Sequence, residues 1–148
     1  MRRIRTPPRL APRPKDSHKA SVGRVLVVGG SRDRCGAPAL AALGAVRAGA
    51  GLVRVAVPHS IQGVVAARRP EATTAGLPEI RAGALAPAAV PVAEAMADAW
   101  DAVVLGPGVG RAPSTRRAVT NLVWVLQQTG RDEEADRLEK EFAVDPSS

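Results

Sequence analysis

The chain reads as an α/β protein built on parallel, helix-covered strands, and three observations predict it. Short apolar runs of strand character alternate with helical segments instead of meeting in tight hairpin turns. The strands are apolar almost without interruption, as in sheets buried on both faces. Two of them run straight into glycine turns, Gly29-Gly30-Ser31 and Gly106-Pro107-Gly108-Val109-Gly110. Both turns therefore fall at the carboxyl edge of the sheet, where open α/β sheets receive ligands. A helical hairpin over 119–148 closes the chain.

The elements follow in order. Arg24 to Val28 is a strand, with four apolar residues of five and three of them valine. After a polar turn, Gly36-Ala37-Pro38 opens an alanine-rich helix, Ala37 to Ala48, whose apolar character predicts burial against a sheet. Gly49 and Gly51 stop it, glycine being suited to a helix end. Leu52 to Val57 (LVRVAV) is the second strand, closed by Pro58. Ile61 to Arg68 is a short helix. Residues 75–92 are rich in Ala, Gly and Pro and carry little periodicity. Glu94 to Ala99 is a helix leading into a third strand, Asp101 to Leu105, which ends in the second glycine turn.

Composition narrows the function classes. With 148 residues there is room for one domain and a modest core. Tyrosine is absent, and Trp100, Trp124 and Phe142 are the aromatic residues, so Ala, Val and Leu fill the interior. A formal net charge of +7 suggests nucleic acid at first sight. Its distribution argues against that. Residues 1–19 hold Arg2, Arg3, Arg5, Arg9, Arg13, Lys15 and Lys19 against Asp16 alone, so six of the seven net charges sit there. This proline-rich segment, 1–17, reads as a disordered basic tail; it lacks the apolar core of a secretory signal. A polyanion-binding arm is the sharper alternative. No charge-free apolar run approaches the ~18 residues of a membrane span. Cys35 is the single cysteine, which excludes an internal disulfide and fits a reducing cytoplasm. With no histidine near it in sequence, it reads as a turn residue and not as a nucleophile.

A strand that ends in a glycine turn before a helix exposes backbone N–H groups to an anion, the arrangement of a phosphate or nucleotide site. The details exclude two common versions. Gly106, Gly108 and Gly110 lack the spacing of the dinucleotide fingerprint, and no P-loop lysine follows either turn. A hydride-transferring dehydrogenase and a Walker-type NTPase are both disfavoured. The residues alone specify an α/β domain with an anion-binding edge.

Several strings carry a more specific resemblance. They are His18-Lys19 before the first strand, Val28-Gly29-Gly30-Ser31, Gly36-Ala37-Pro38, the run Arg47-Ala48-Gly49-Ala50-Gly51-Leu52-Val53, Pro70-Glu71-Ala72, and Gly106-Pro107-Gly108-Val109-Gly110. Their order and spacing over 18–118 resemble the N-terminal half of the ADP/ATP-dependent NAD(P)H-hydrate dehydratases. The resemblance implies a partial ribokinase-like three-layer fold and a lyase of nicotinamide cofactor repair. It implies NAD(P)H hydrate as a small-molecule dinucleotide substrate, ADP or ATP as the driving nucleotide, and Mg2+. The implied chemistry is phosphorylation of the hydrate hydroxyl followed by elimination. By motif, Ala37 and Gly108 correspond to residues lining the hydrated-cofactor pocket. His18 and Lys19 are weaker candidates, since an exposed pair of this kind is usually just solvated.

Departures from the family pattern bear on activity. Ala20 and Asp33 stand where family members usually have glycine, and Asp33 puts a carboxylate in a turn that faces a phosphate-rich ligand. After Arg111 there is no HPGE-like segment, no basic segment with a nucleotide-binding glycine turn, and no GTGD-like motif with a catalytic aspartate. Activating a hydroxyl needs a positioned carboxylate, and no catalytic residue is identified. Activity of this chain alone is expected to be weak or absent.

The tail is different in kind. Asn121 to Ser148 resembles one tetratricopeptide repeat, with Thr129-Gly130 at the turn, Leu122, Val125 and Leu126 on one helix and Ala135, Leu138 and Phe142 on the other. Such repeats need neighbours to bury their faces, and one is present. An ordinary amphipathic hairpin packed on the α/β body, and a gene-fusion or reading-frame remnant, stand beside that reading. The alternatives to a dehydratase are a non-catalytic scaffold that binds a protein partner through these helices and a nucleotide-binding module completed by a separate chain. No specific nucleic acid and no membrane is expected as a partner.

Overall fold

The computed structural model describes residues 16–128. Residues 1–15 and 129–148 lie outside that description, including most of the basic tail and most of the repeat-like segment. The described chain alternates strand and helix: β1 (Arg24–Val28), α1 (Gly36–Ala48), β2 (Leu52–Pro58), α2 (Gln62–Arg68), β3 (Thr73–Leu77), α3 (Ala89–Ala97), β4 (Ala102–Leu105) and α4 (Pro113–Gln128). All strand pairs are parallel, in the order β3-β2-β1-β4.

The register follows from side-chain alternation. Leu26 and Val28 of β1 face one layer with Ala56, Val103 and Leu105, against Ala89, Ala93 and Ala97 of α3 and Val119, Leu122 and Val123 of α4. Val27 faces the other way, with Val53, Val55 and Val57, against Ala42 of α1 and Val65 of α2. The result is three layers, with α3 and α4 on one face of the sheet and α1 and α2 on the other. The central strand is covered on both sides, which is why its sequence shows a continuous apolar run. Arg54 interrupts β2. Its guanidinium lies 5.5 Å from the ring centroid of Trp100, a cation–π contact that keeps the charge near the sheet's end.

Four differences from the sequence expectation have physical causes. The sheet has four strands, not three: β3 (TTAGL) lacks Val and Ile and contains Gly76, so its composition hides it. Gly76 is demanded by close approach, since a Cβ there would stand 2.6 Å from His59 Nδ1 and 2.7 Å from Gln62 Oε1. Helix α3 begins at Ala89, earlier than expected, because Pro91 sits in the first turn, where a missing N–H costs nothing. Helix α1 buries Pro38, Ala39 and Ala42, but Leu40 is 65% exposed; only one face of this apolar helix meets the sheet. Helix α4 starts at Pro113 and runs unbroken through position 118 to Gln128, so Asn121–Gln128 is its second half.

Capping and clamping fix the elements. Gly49 ends α1 at φ +102°, and its N–H reaches back to Ala45 and Val46 carbonyls. Arg69 Nε donates to the Ala39 carbonyl at 2.9 Å, tying the end of α2 to α1. Thr115, fully buried, donates from Oγ1 to the Leu85 carbonyl at 3.0 Å. At the amino edge the Arg24 N–H donates to Asp101 Oδ2 at 2.8 Å, and the guanidinium closes on both carboxylate oxygens. This clip seats β4 on β1. Between α3, α4 and the sheet there is an apolar gap of about 10 Å³ lined by Val28, Leu105, Ala118 and Leu122 among others, with no polar group to hold water.

Candidate functional site

Both glycine turns lie at the carboxyl edge of adjacent strands, because β1 and β4 pair directly in parallel. The turns are laced together: Gly106 N–H donates to the Val28 carbonyl at 3.0 Å, and Gly30 N–H to the Pro107 carbonyl at 2.8 Å. The chain after β1 makes a short 3-10 turn, Arg32–Arg34, before α1 starts. That turn brings Arg34 and Ala37 onto the second glycine turn. A Cβ built on Gly108 would stand 2.7 Å from the Arg34 carbonyl oxygen and 3.0 Å from Ala37 Cβ. With φ at +76° as well, position 108 is closed to any L side chain. Ala37, in the first turn of α1, and Gly108, in the second glycine turn, are thus neighbours.

The amino-terminal candidates lie elsewhere. His18 and Lys19 open a 3-10 turn, Lys19–Val22, that precedes β1. The Ser21 hydroxyl donates to the His18 carbonyl at 2.8 Å, and the Lys19 carbonyl abuts Gly51, just before β2. Strands β1 and β2 are parallel and in register from Arg24 and Leu52, so His18 and Lys19 belong to the amino edge. The length of β1 separates them from Ala37 and Gly108. Ala20 lies in the same amino-edge turn. Asp33 lies at the carboxyl edge, exposed, between two arginines.

The structure adds residues that sequence reasoning passed over. Ser31 is 5% exposed, and its Oγ has no hydrogen-bond partner. Segment 78–86 crosses the same edge: Ser31 bridges to Ala84, Glu79 to Leu85, and Arg32 N–H donates to the Gly83 carbonyl at 2.8 Å. Glu79 Oε2 accepts from the Ser60 N–H at 3.0 Å and the Ser60 hydroxyl at 2.8 Å. These two bonds hold the Glu79 carboxyl below its ordinary range; slight burial opposes them, and Arg32 and His59 add to them. In sequence the segment lay in the weakly periodic stretch, where short bridges leave no pattern.

Chemically, the edge combines small side chains, glycine backbone, two arginines and an unpaired hydroxyl. Among the described residues no group of three or more His, Cys, Asp or Glu side chains could hold a metal ion. The Mg2+ expected from the resemblance finds no such ligand set among the described residues. No described helix is long and apolar enough to cross a membrane.

Comparison with known proteins places this geometry in a family. The family model described as NAD(P)H-hydrate dehydratase matches residues 25–128, which takes in the second half of α4. A bifunctional NAD(P)H-hydrate repair enzyme of Moorella thermoacetica is 46% identical over 112 residues, 75% of this chain and 21% of the relative. An ADP-dependent (S)-NAD(P)H-hydrate dehydratase of Lactococcus lactis is 39% identical over 98 residues, 66% of this chain and 32% of the relative. Among solved structures, an ADP/ATP-dependent NAD(P)H-hydrate dehydratase of Bacillus subtilis, co-crystallised with ATP and Mg2+, superposes with a TM-score of 0.56 at 29% identity, covering 78% of this chain and 38% of that one. A ribokinase-like protein of Enterococcus faecalis at 23% identity and a TM-score of 0.61 shares the fold. The parallel three-layer architecture is ribokinase-like, as expected. The chain spans between about a fifth and a third of the length of these curated relatives.

Proposed function

We propose, since the chain belongs to the NAD(P)H-hydrate dehydratase family, that residues 18–118 form one wall of a pocket for a hydrated nicotinamide dinucleotide. The contact between Ala37 and Gly108 carries this reading: the two positions that the family motifs assign to the pocket are adjacent, at the carboxyl edge of the central strands. Ala37 has too little bulk to block a ribose or nicotinamide ring, and Gly108 lets a ligand reach the backbone. The reaction served is ADP- or ATP-driven dehydration in nicotinamide cofactor repair. The nucleotide's terminal P–O bond breaks as its phosphoryl group passes to the hydrate oxygen, which gives up its proton; the C–O bond then breaks, phosphate leaves, and the neighbouring carbon loses a proton as the double bond re-forms. The wall binds and orients; it supplies no identified base, so this chain alone turns the substrate over slowly or not at all. The unpaired thiol Cys35 supports a cytoplasmic setting. The scaffold alternative draws on the helical hairpin of 119–148, of which 129–148 lie outside the described residues, and no observation in the described part favours it.

The test is direct. The purified 148-residue chain is heated with and without hydrated NADH, and then incubated with hydrated NADH and ADP while NADH absorbance is followed. A raised melting temperature with little or no recovery of absorbance is expected. An unchanged melting temperature at saturating hydrated NADH would remove the pocket reading.

A further inference from the structure

The carboxyl edge holds an arrangement that the wall reading leaves unused. Three side-chain atoms gather around Gly110: Arg34 Nη1, Ser31 Cβ and Ala84 Cβ each lie 3.8 Å from the point a Cβ at position 110 would occupy. Gly110 carries no side chain, so none of its own atoms comes between Arg34 and Ser31. Arg34 has no ion-pair or hydrogen-bond partner for its guanidinium among the described residues, although its own carbonyl and Cβ pack on Gly108. Ser31 presents the one buried side-chain polar atom without a partner among the described residues. A buried hydroxyl left unpaired is costly, and the Arg34 guanidinium reaches the same glycine as the Ser31 side chain. Both needs are met by one oxyanion that accepts from both. Arginine suits this role because its planar fork pairs with two phosphate oxygens at once.

We propose that Arg34 and Ser31, over Gly110, form a subsite for one phosphate group of the dinucleotide whose pocket wall is built by Ala37 and Gly108. The inference rests on that pocket reading and names the charged contact within it. It also accounts for Asp33: the exposed carboxylate is flanked by Arg32 and Arg34, so the turn stays net positive by one charge. The chemistry recognised is a phosphate monoanion or diester. It could belong to the dinucleotide or to the ADP co-substrate, and the proposal commits to the dinucleotide.

Calorimetric titration of the full chain with hydrated NADH, with ADP, and with reduced nicotinamide riboside, which lacks phosphate, separates the outcomes. Arg34 is exposed, so Arg34→Leu keeps the fold, and an unchanged circular dichroism spectrum checks it. For hydrated NADH the variant is expected to lose about tenfold in affinity, the size of a charge-assisted hydrogen bond. Its affinity should also depend less steeply on salt, while riboside binding stays the same. Arg34→Lys should recover part of the loss, and Ser31→Ala should weaken hydrated NADH severalfold. Unaltered affinity for hydrated NADH in Arg34→Leu overturns the subsite while leaving the wall intact. Equal losses for riboside and dinucleotide overturn it as a phosphate contact, and a loss confined to ADP overturns its assignment to the dinucleotide. If the unmodified chain binds no hydrated NADH, the pocket reading itself fails, which the same titration records separately.

Discussion

Ala37 Cβ lies 3.0 Å from the point that a Cβ on Gly108 would occupy; two residues 71 positions apart in sequence meet where the first turn of α1 packs on the second glycine turn. A side chain at position 108 would have to displace Ala37 and the Arg34 backbone. The contact depends on β1 and β4 being direct neighbours, and the first prediction follows from it.

Gly108→Ala introduces a Cβ at 2.7 Å from the Arg34 carbonyl oxygen in a backbone of φ +76°. Steric overlap and a left-handed conformation together cost about 1–3 kcal/mol. Chemical denaturation should show that loss, and protection by hydrated NADH should disappear. A variant as stable as the parent would show that the turn relaxes freely.

Leu26 and Leu40 provide an internal control for burial. Leu26 is fully buried in the central strand, whereas Leu40 is 65% exposed on α1. Leu26→Ala should lose about 2–5 kcal/mol, and Leu40→Ala should stay within about 0.5 kcal/mol of the parent. Urea midpoints of the two variants measure the contrast. Equal losses would mean that α1 is covered on its outer face in solution.

The Ser60–Glu79 contact predicts a pH effect. In the folded chain the Glu79 carboxyl is held below its ordinary range, so its contribution is complete above the unfolded value of about 4.3 and is lost as pH falls through the lower folded value. The group is partly exposed, which keeps the effect under about 1 kcal/mol. Glu79→Gln should match the acid-treated parent and lose its own pH dependence in that window. Melting curves from acid to neutral pH test the sign.

The Arg24–Asp101 pair is a clip at the amino edge, with side chains 39% and 49% exposed. Asp101→Asn keeps an acceptor for the Arg24 N–H but removes the charge, so a small loss of stability is expected. The difference from the parent should shrink as salt rises toward 1 M. A salt-independent difference would assign the effect to backbone geometry instead.

How much of this was readable in the residues varies by element. β1, β2 and β4 announce themselves because valine-rich runs buried on both faces have no competing reading. β3 does not, since Thr73, Thr74 and Gly76 mimic a loop, and the closeness of His59 and Gln62 to Gly76 comes from the fold. Helix α3 starts ahead of Glu94, inside the stretch with little periodicity, where Pro91 fits its first turn. Ala37 and Gly108 were named by motif, but their contact needs the strand order, which local sequence does not encode. Ser31 and Arg34 look like ordinary turn polarity; their meaning comes from convergence on Gly110, a relation between loops. His18 and Lys19, the weaker candidates, precede β1 and so lie at its amino edge, away from Ala37 and Gly108.

Strand order also sets how long the edge keeps its shape. Four of the five β1 residues, Val25 to Val28, have aligned neighbours in both β2 and β4, so its amides open only when the sheet does. Such amides exchange their hydrogens last, at close to the cost of global unfolding. The glycine turns hang from this slowest-opening strand and its partner, tied by the Gly106 and Gly30 bonds. A binding edge anchored there persists through fraying of β3 and the helices, and deuterium should reach Val27 and Val28 long after it has saturated Thr73 and Thr74.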